Sequence, residues 1–135
     1  MGPRTVLAFD FGLKRTGVAL GNTLTGGSRP IGTIETAQSD TRFDRIARLI
    51  AEWQPDILVV GLPLGNDGDE TPIAKRARRF GQQLNGRFGL PVNFVDERYS
   101  SAVVEDAIKP GRNDKAAVDA AAAAVILQAW LDQQT

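Results

Sequence analysis

The hydrophobic pattern of this sequence changes its period near residue 37. Before that point, short apolar runs predict three strands, over Thr5 to Phe11, Thr16 to Leu20 and Ile31 to Thr36. Residues 21–30, which are rich in Gly and Thr, are expected to form the loop between the second and third strands. Short connections favour an antiparallel meander, and the first strand, apolar on both faces, is expected to be central.

After residue 37 the sequence alternates between helical and strand patterns. Phe43, Ile46, Ile50 and Trp53 follow one another at spacings of 3, 4 and 3, which places them on one face of a helix. The first predicted helix runs from Ser39 or Asp40 to before Pro55 and is followed by a strand over Asp56 to Gly61. A helix capped by Thr71, with Pro72 in its first turn, then precedes a strand over Val92 to Glu97. The last two predicted elements are a short helix from Ser100 or Ser101 to about Lys109 and a final helix from a cap at Asp114 to about Asp132.

This order of elements predicts an α/β fold. Three meander strands followed by alternating helices and strands give a five-stranded mixed sheet, an antiparallel meander plus two parallel strands, flanked by helices. The length of 135 residues is typical of one domain, so residues 1–135 are expected to form a single domain.

Composition excludes several kinds of chemistry. The chain contains no Cys and no His, which excludes disulfides, structural zinc, Cys nucleophiles and Ser-His-Asp triads. The formal net charge is zero, so nucleic-acid binding would have to come from local basic patches. Neither a signal peptide nor a membrane-spanning run is apparent, and a cytoplasmic protein without membrane contacts is expected.

Asp119 is a single acid on the apolar face of the final helix. At 100° per residue it shares that face with Ile126 and Trp130, whereas Gln128 and Asp132 lie on the opposite, polar face. An unpaired carboxylate removed from water costs several kcal/mol, so a cation, a hydrogen-bond network or protonation must compensate it. Two interpretations remain open for this residue alone: a functional site, or a buried salt bridge to an Arg.

Two further carboxylates end predicted strands. Asp10 lies on the same face as Val6 and Ala8, although an Asp before a Gly is also common in turns. Glu97 ends the strand that begins at Val92, where a polar residue could also simply reach solvent.

The three acids are expected to meet. The carboxyl ends of parallel strands converge at the edge where open α/β sheets bind ligands, and the last helix can bring Asp119 there. Three carboxylates at one edge repel each other unless a cation joins them, and carboxylates and water suit Mg²⁺ or Mn²⁺. Without His, a metal-activated water is the simplest nucleophile.

Four segments resemble the motif blocks of a known family. FDFGLKRTGVA (9–19), VVGLPLGNDGDE (59–70), VDERYSS (95–101) and VDAAAAAVILQ (118–128) look like those of the YqgF/RuvX family, in the same order and spacing. That family has an RNase H-like fold. Its members have been described as Holliday junction resolvases and as nucleases that mature the 5′ end of precursor 16S ribosomal RNA.

The resemblance implies a metal-dependent nuclease in which Asp10, Glu97 and Asp119 bind Mg²⁺ or Mn²⁺ and carry the catalysis. Many RNase H-like nucleases use a fourth carboxylate, and none can be assigned here, because Asp96 lies on the wrong face and Asp106 in a helix. The implied partner is structured RNA rather than branched DNA, with ribosomal precursor particles as the setting and a monomer or homodimer as the active form.

Supporting residues are expected to contact the nucleic acid. Some of these residues could instead have an ordinary structural role, in a solvated hairpin tip or in a strand-to-helix connection. A basic cluster from Lys75 to Arg79, with Arg87 beyond it, could supply nonspecific affinity for a phosphate backbone, but a charge run of this kind is more typical of a solvated helix face. The expected nucleic-acid-binding residues are Lys14, Arg15, Gly61, Pro63, Gly65, Arg98, Ser100, Arg112 and Lys115.

Three other functions remain open at this stage. A resolvase of branched DNA would keep the chemistry but change the substrate. A non-cleaving RNA-binding or ribosome-assembly module would keep only the fold, although all three acids are present. An ATP-binding domain of the actin and sugar-kinase type is the third, since DFGLKRTGVA resembles its first phosphate motif, but such proteins need two domains and this chain has the length of one.

Overall fold

The computed structural model describes residues 2–35, 39–65, 67–97 and 115–134. Within them the predicted alternation of strands and helices is confirmed. The predicted short helix up to Lys109 and the predicted cap at Asp114 lie outside these residues. The elements are β1 (Thr5–Asp10), β2 (Arg15–Asn22), β3 (Ser28–Glu35), α1 (Ser39–Trp53), β4 (Ile57–Leu62), α2 (Pro72–Phe88), β5 (Val92–Asp96) and α3 (Lys115–Asp132).

The five strands form one mixed sheet in the order β3-β2-β1-β4-β5. The pairs β1–β2 and β2–β3 are antiparallel, whereas β1–β4 and β4–β5 are parallel. The predicted meander with two added parallel strands is therefore confirmed, and β1 is central as expected. Because β1, β4 and β5 run in the same direction, their carboxyl ends share one edge of the sheet.

The loop predicted over residues 21–30 is shorter than expected. β2 continues to Asn22 and β3 begins at Ser28, with Gly21 opposite Ser28 in the ladder. β3 lies at the edge of the sheet and exposes Arg29 and Pro30, so its first residues follow the strand pairing and show no apolar pattern.

Alternate side chains of β1 enter two different cores. Leu7 and Phe9 face α1 and α2 and pack in one cluster with Phe80 of α2. Val6 and Ala8 face α3 and pack with Ile126 of that helix. This alternation places the side chain of Asp10 on the α3 face of the sheet, and Phe11, the next residue, packs against the core of the α1 and α2 face.

Local signals define α2 as predicted. The Thr71 hydroxyl accepts a hydrogen bond from the Ala74 N–H at 3.2 Å, and Pro72 occupies the first turn. Gly89 ends the helix in the left-handed region with φ 67°, where a residue without Cβ avoids strain. None of the helices in the described ranges has the length and apolar character needed to cross a membrane.

Candidate active site

Asp10 and Glu97 meet at the carboxyl edge of the sheet. Asp10 is the last residue of β1, and Glu97 directly follows β5. β4 lies between these two strands, and its Gly61 leaves room for the Glu97 side chain. A Cβ at Gly61 would lie only 2.6 Å from Glu97 Oε1 and from the Ile126 side chain. The missing side chain thus allows Glu97 to reach toward Asp10, and the two carboxyl groups share a hydrogen bond.

The two carboxyl groups hold a proton between them. Burial raises the pKa of Glu97 to about 8, and the hydrogen bond to Asp10 and the charges of Asp10 and Asp96 act in the same direction. Burial also raises the pKa of Asp10, which the hydrogen bond from Glu97 opposes and the charge of Asp119 reinforces. Near neutral pH, protonated Glu97 therefore donates to the Asp10 carboxylate.

Asp119 reaches this edge because α3 passes directly over β2. Gly17 of β2 pairs with Asp10 in the ladder, and a Cβ at Gly17 would overlap the carbonyl oxygen of Asp119. The backbone of α3 therefore lies against β2, and the charge of Asp119 is near enough to raise the pKa of Asp10. The predicted convergence of the three acids on one region of the molecule follows from this contact.

Asp119 also forms the salt bridge that was its alternative interpretation. Arg15 Nε donates to Asp119 Oδ2 at 2.8 Å, and both side chains are about one-quarter exposed, at 28% and 25%. Arg15, which is expected to contact a phosphate, pairs with Asp119 in this structure. The two interpretations of Asp119 are thus compatible, since it lies beside Asp10 and is paired with an Arg.

The carboxyl groups of Asp10 and Glu97 suit a metal ion better as a pair than together with Asp119. Among residues 2–35, 39–65, 67–97 and 115–134, no group of three or more His, Cys, Asp or Glu is arranged to hold a metal ion. Asp10 and Glu97 nevertheless offer two oxygen donors in contact, joined by a proton that a cation could replace. Mg²⁺ is commonly held by one or two carboxylates together with water and substrate phosphates. The pair therefore suits such an ion, while Asp119 is directed to Arg15.

The other expected nucleic-acid-binding residues have varied surroundings. Lys14 is exposed in the β1–β2 turn. The carbonyl oxygen of Pro63 accepts from the Thr71 hydroxyl at 2.8 Å, and the Gly65 N–H donates to the Asp69 carbonyl at 2.9 Å, so the loop after β4 is closed by its own hydrogen bonds. Lys115 begins α3. Arg98, Ser100 and Arg112 lie outside the described residues.

Arg42 was not among the residues predicted to have a role at the site. It is buried, with 8% of its surface exposed, and its Nη2 donates to the carbonyl oxygens of Gly12 and Leu13 at 2.9 and 3.0 Å. It therefore fixes the turn that follows Asp10. A signal was present in the sequence, because Arg42 precedes Ile46 by four residues and so shares the buried face of α1.

Comparisons with known proteins agree over nearly the whole chain. The family model described as RuvX, Holliday junction resolvase, matches residues 4–133. A protein of Chromobacterium violaceum named "Putative pre-16S rRNA nuclease" is 52% identical over 132 residues, which cover 94% of this chain and 96% of that protein. A protein of Ralstonia pickettii with the same name is 53% identical over 129 residues, covering 96% of this chain and 87% of that one.

Solved structures share the fold at much lower identity. Thermus thermophilus RuvC in complex with a Holliday junction substrate matches with a TM-score of 0.63 at 13% identity, covering 96% of this chain and 95% of that chain. The fowlpox virus resolvase in complex with Holliday junction DNA matches with a TM-score of 0.57 at 13% identity, covering 96% and 98%. The expected RNase H-like fold is confirmed.

Proposed function

This chain belongs to the RuvX family of nucleases, and we propose that it hydrolyses a phosphodiester bond at the 5′ end of precursor 16S ribosomal RNA, using a divalent cation held by Asp10 and Glu97. The carrying observation is the pair of hydrogen-bonded carboxyl groups at the carboxyl ends of β1 and β5. Mg²⁺ or Mn²⁺ is the proposed ion, because every donor is a carboxylate oxygen.

Each acid has a distinct part in this proposal. Asp10 and Glu97 would bind the cation in place of the proton they now share, so Glu97 must lose this proton before or as the cation binds. A bound cation would neutralise charge on the scissile phosphate and make a coordinated water a better nucleophile. Arg15 holds Asp119 Oδ2, which fixes this carboxylate beside Asp10 and leaves Oδ1 to accept a hydrogen bond from an attacking water.

RNA is the proposed substrate because curated relatives about half identical to this chain are named for precursor 16S ribosomal RNA. We propose that the chain acts as a single nuclease domain in the cytoplasm, on ribosomal precursor particles, as a monomer or homodimer. Resolution of branched DNA is the second candidate, and the description of the matching family supports it.

The test offers the protein both substrates in parallel, a precursor 16S 5′-end RNA and a four-way DNA junction, each with Mg²⁺, Mn²⁺ or a chelator. We expect metal-dependent cleavage of the RNA that falls by roughly 10²-fold or more in Asp10→Asn and in Glu97→Gln. Asp44→Asn, which changes an exposed acid of α1, is the matched control and should cut normally.

Three results would contradict this proposal, each in a different way. Cleavage that persists in Asp10→Asn would remove the carboxylate pair from the mechanism. Cleavage of the junction alone would favour the resolvase. Binding of RNA without cleavage under any metal condition would favour the non-cleaving assembly module.

A further inference from the structure

A second feature of the carboxyl edge lies on the face opposite Asp10. Between α1 and α2 the structure contains a cleft of about 430 Å³, and four arginines line it together with the rings of Phe11, Phe43 and Phe80. We refer to it as the arginine cleft, defined by the residues Arg42, Arg76, Arg79 and Arg87.

Helix geometry separates these arginines from the rest of the basic cluster. Arg76, Arg79 and Arg87 follow at spacings of 3 and 8, which keeps them on one side of α2 beside the buried Phe80. Arg78 lies elsewhere, because it pairs with Glu70 and its guanidinium stands 5.3 Å from the centre of the Phe94 ring. Arg76, Arg79 and Arg87 are exposed, as expected of a solvated basic face, and together with Arg42 they also line one cleft.

Among the described residues, no carboxylate forms a salt bridge with the arginine cleft. Across the described ranges the salt bridges join Arg15 to Asp119 and Arg78 to Glu70, and neither involves a cleft arginine. Aromatic rings provide part of the compensation, with Arg87 lying 4.0 Å from the centre of Phe43 and Arg42 lying 4.8 Å from that of Phe11. Four neighbouring guanidinium groups without a carboxylate create a positive potential that an anion would relieve.

Arg42, which lines the arginine cleft, carries a buried donor without a partner among the described residues. It is more than nine-tenths buried, and its Nε lacks a hydrogen-bond partner within the described part of the chain. Burial lowers the pKa of this guanidinium, which shows how unfavourable its surroundings are for an uncompensated charge. A buried polar atom without a partner requires an explanation, and an anion in the adjoining cleft would stabilise the whole guanidinium group.

The position of the arginine cleft connects it to the carboxylates. Phe11, which lines the cleft, directly follows Asp10, so their Cα atoms are about 3.8 Å apart. Arg42 also holds the carbonyls of Gly12 and Leu13, in the turn that joins β1 to β2. A chain of phosphates that crosses this turn would pass from the carboxylates on one face of the sheet to the arginines on the other.

We propose that the arginine cleft is a second phosphate-binding subsite, which takes backbone phosphates of the RNA substrate on the side of the β1–β2 turn away from the carboxylates. This inference rests on the proposed function for the identity of the strand. Guanidinium groups match the geometry of phosphate oxygens and bind them in a bidentate manner. The rings of Phe11 and Phe43 are covered by Arg42 and Arg87, so the subsite binds backbone and does not stack bases.

The test measures how RNA binding depends on salt, in a chelator so that no cleavage intervenes. Arg76→Ala/Arg79→Ala is compared with Arg45→Ala/Arg48→Ala, which removes the same charge from exposed positions of α1 outside the arginine cleft. Fluorescence anisotropy with labelled precursor 16S 5′-end RNA gives log Kd against log salt. The slope should fall by about one unit for each phosphate that the cleft variant no longer binds, whereas the α1 variant should keep most of the wild-type slope.

Further measurements separate this inference from the proposed function. Arg76→Lys/Arg79→Lys should keep most of the slope but bind more weakly, and unfolding midpoints show whether every variant is folded. Equal reductions of slope in the cleft and α1 variants, or no reduction in either, would overturn the subsite. Normal binding and cleavage in the cleft variant would overturn the subsite alone, while a wild-type protein that neither binds the RNA nor cuts it with Mg²⁺ or Mn²⁺ would overturn both proposals.

Discussion

At the scale of single residues, three ionisable side chains, those of Asp10, Glu97 and Arg42, are largely removed from water and are compensated in two ways. Asp10 and Glu97 share a proton. Arg42 donates to two backbone carbonyls and lies over Phe11. The acids were predictable because they stand at strand ends, whereas their mutual hydrogen bond depends on the space that Gly61 leaves across β4. That space is a property of the assembled sheet and has no signature in the local sequence.

The raised pKa of Glu97 predicts how stability changes with pH when no divalent cation is present. The folded pKa of about 8 exceeds the ordinary value of 4.5, so between these values the folded protein binds more protons than the unfolded chain. The contribution of Glu97 is therefore complete below about pH 4.5 and is lost as the pH rises through 8. We expect the free energy of unfolding, measured with urea in a chelator, to decline from pH 6 to pH 8.5.

Glu97→Gln is the control for this pH dependence, because an amide can still donate to the Asp10 carboxylate but does not titrate. Its free energy of unfolding should vary less over the same range. A decline of the same size in this variant would show that other groups cause the pH dependence of the wild-type protein.

At the scale of elements, the contact between α3 and the sheet depends on a single glycine of β2. Gly17 admits the α3 backbone, and this contact brings Asp119 beside Asp10. At Gly17 the α3 backbone lies directly against β2, and no side chain lies between them that could move aside. A methyl group at this position must therefore displace the helix.

Gly17→Ala is expected to destabilise the protein by about 1–3 kcal/mol or more, since the added Cβ would overlap the backbone of Asp119. Gly32→Ala in β3 adds the same methyl group where no atom lies within 4 Å, so it should have little effect. Urea unfolding of both variants measures the difference. Equal stabilities would mean that α3 does not pack on β2 as described.

The elements themselves were largely predictable, and the exceptions have physical causes. Thr71, Pro72 and Gly89 define α2 through local chemistry that any helix would use. β3 was predicted too short because an edge strand is held by its ladder and can expose Arg29 and Pro30. Gln128, assigned to a polar face with Asp132, donates to Asp132 and also to the Gly26 carbonyl at 2.8 Å, a contact created by the turn before β3.

At the scale of the whole molecule, the sheet separates two kinds of charge at one edge. The acids lie on the face covered by α3, and the arginine cleft lies on the face covered by α1 and α2. The acidic side was visible in the sequence as isolated carboxylates in apolar surroundings. The basic side was visible only in part, as the basic cluster of α2, because Arg42 comes from another helix and only packing brings it to Arg76, Arg79 and Arg87. A formal net charge of zero thus conceals a polarised edge.

This arrangement leads to a prediction about divalent cations. Asp10 ends β1 and Glu97 directly follows β5, and these two strands lie on either side of β4, so an ion bound by both residues would link β1 to β5 in the folded state and has no equivalent site in the unfolded chain. Mn²⁺ at 100 times its Kd should then stabilise the protein by about 2.7 kcal/mol. The gain in unfolding midpoint should be larger at pH 8 than at pH 6, because the ion displaces the shared proton. Asp10→Asn should abolish the gain and Asp44→Asn should preserve it. A gain that survives in Asp10→Asn would place the ion elsewhere, and the carboxylate pair would then be a structural hydrogen bond.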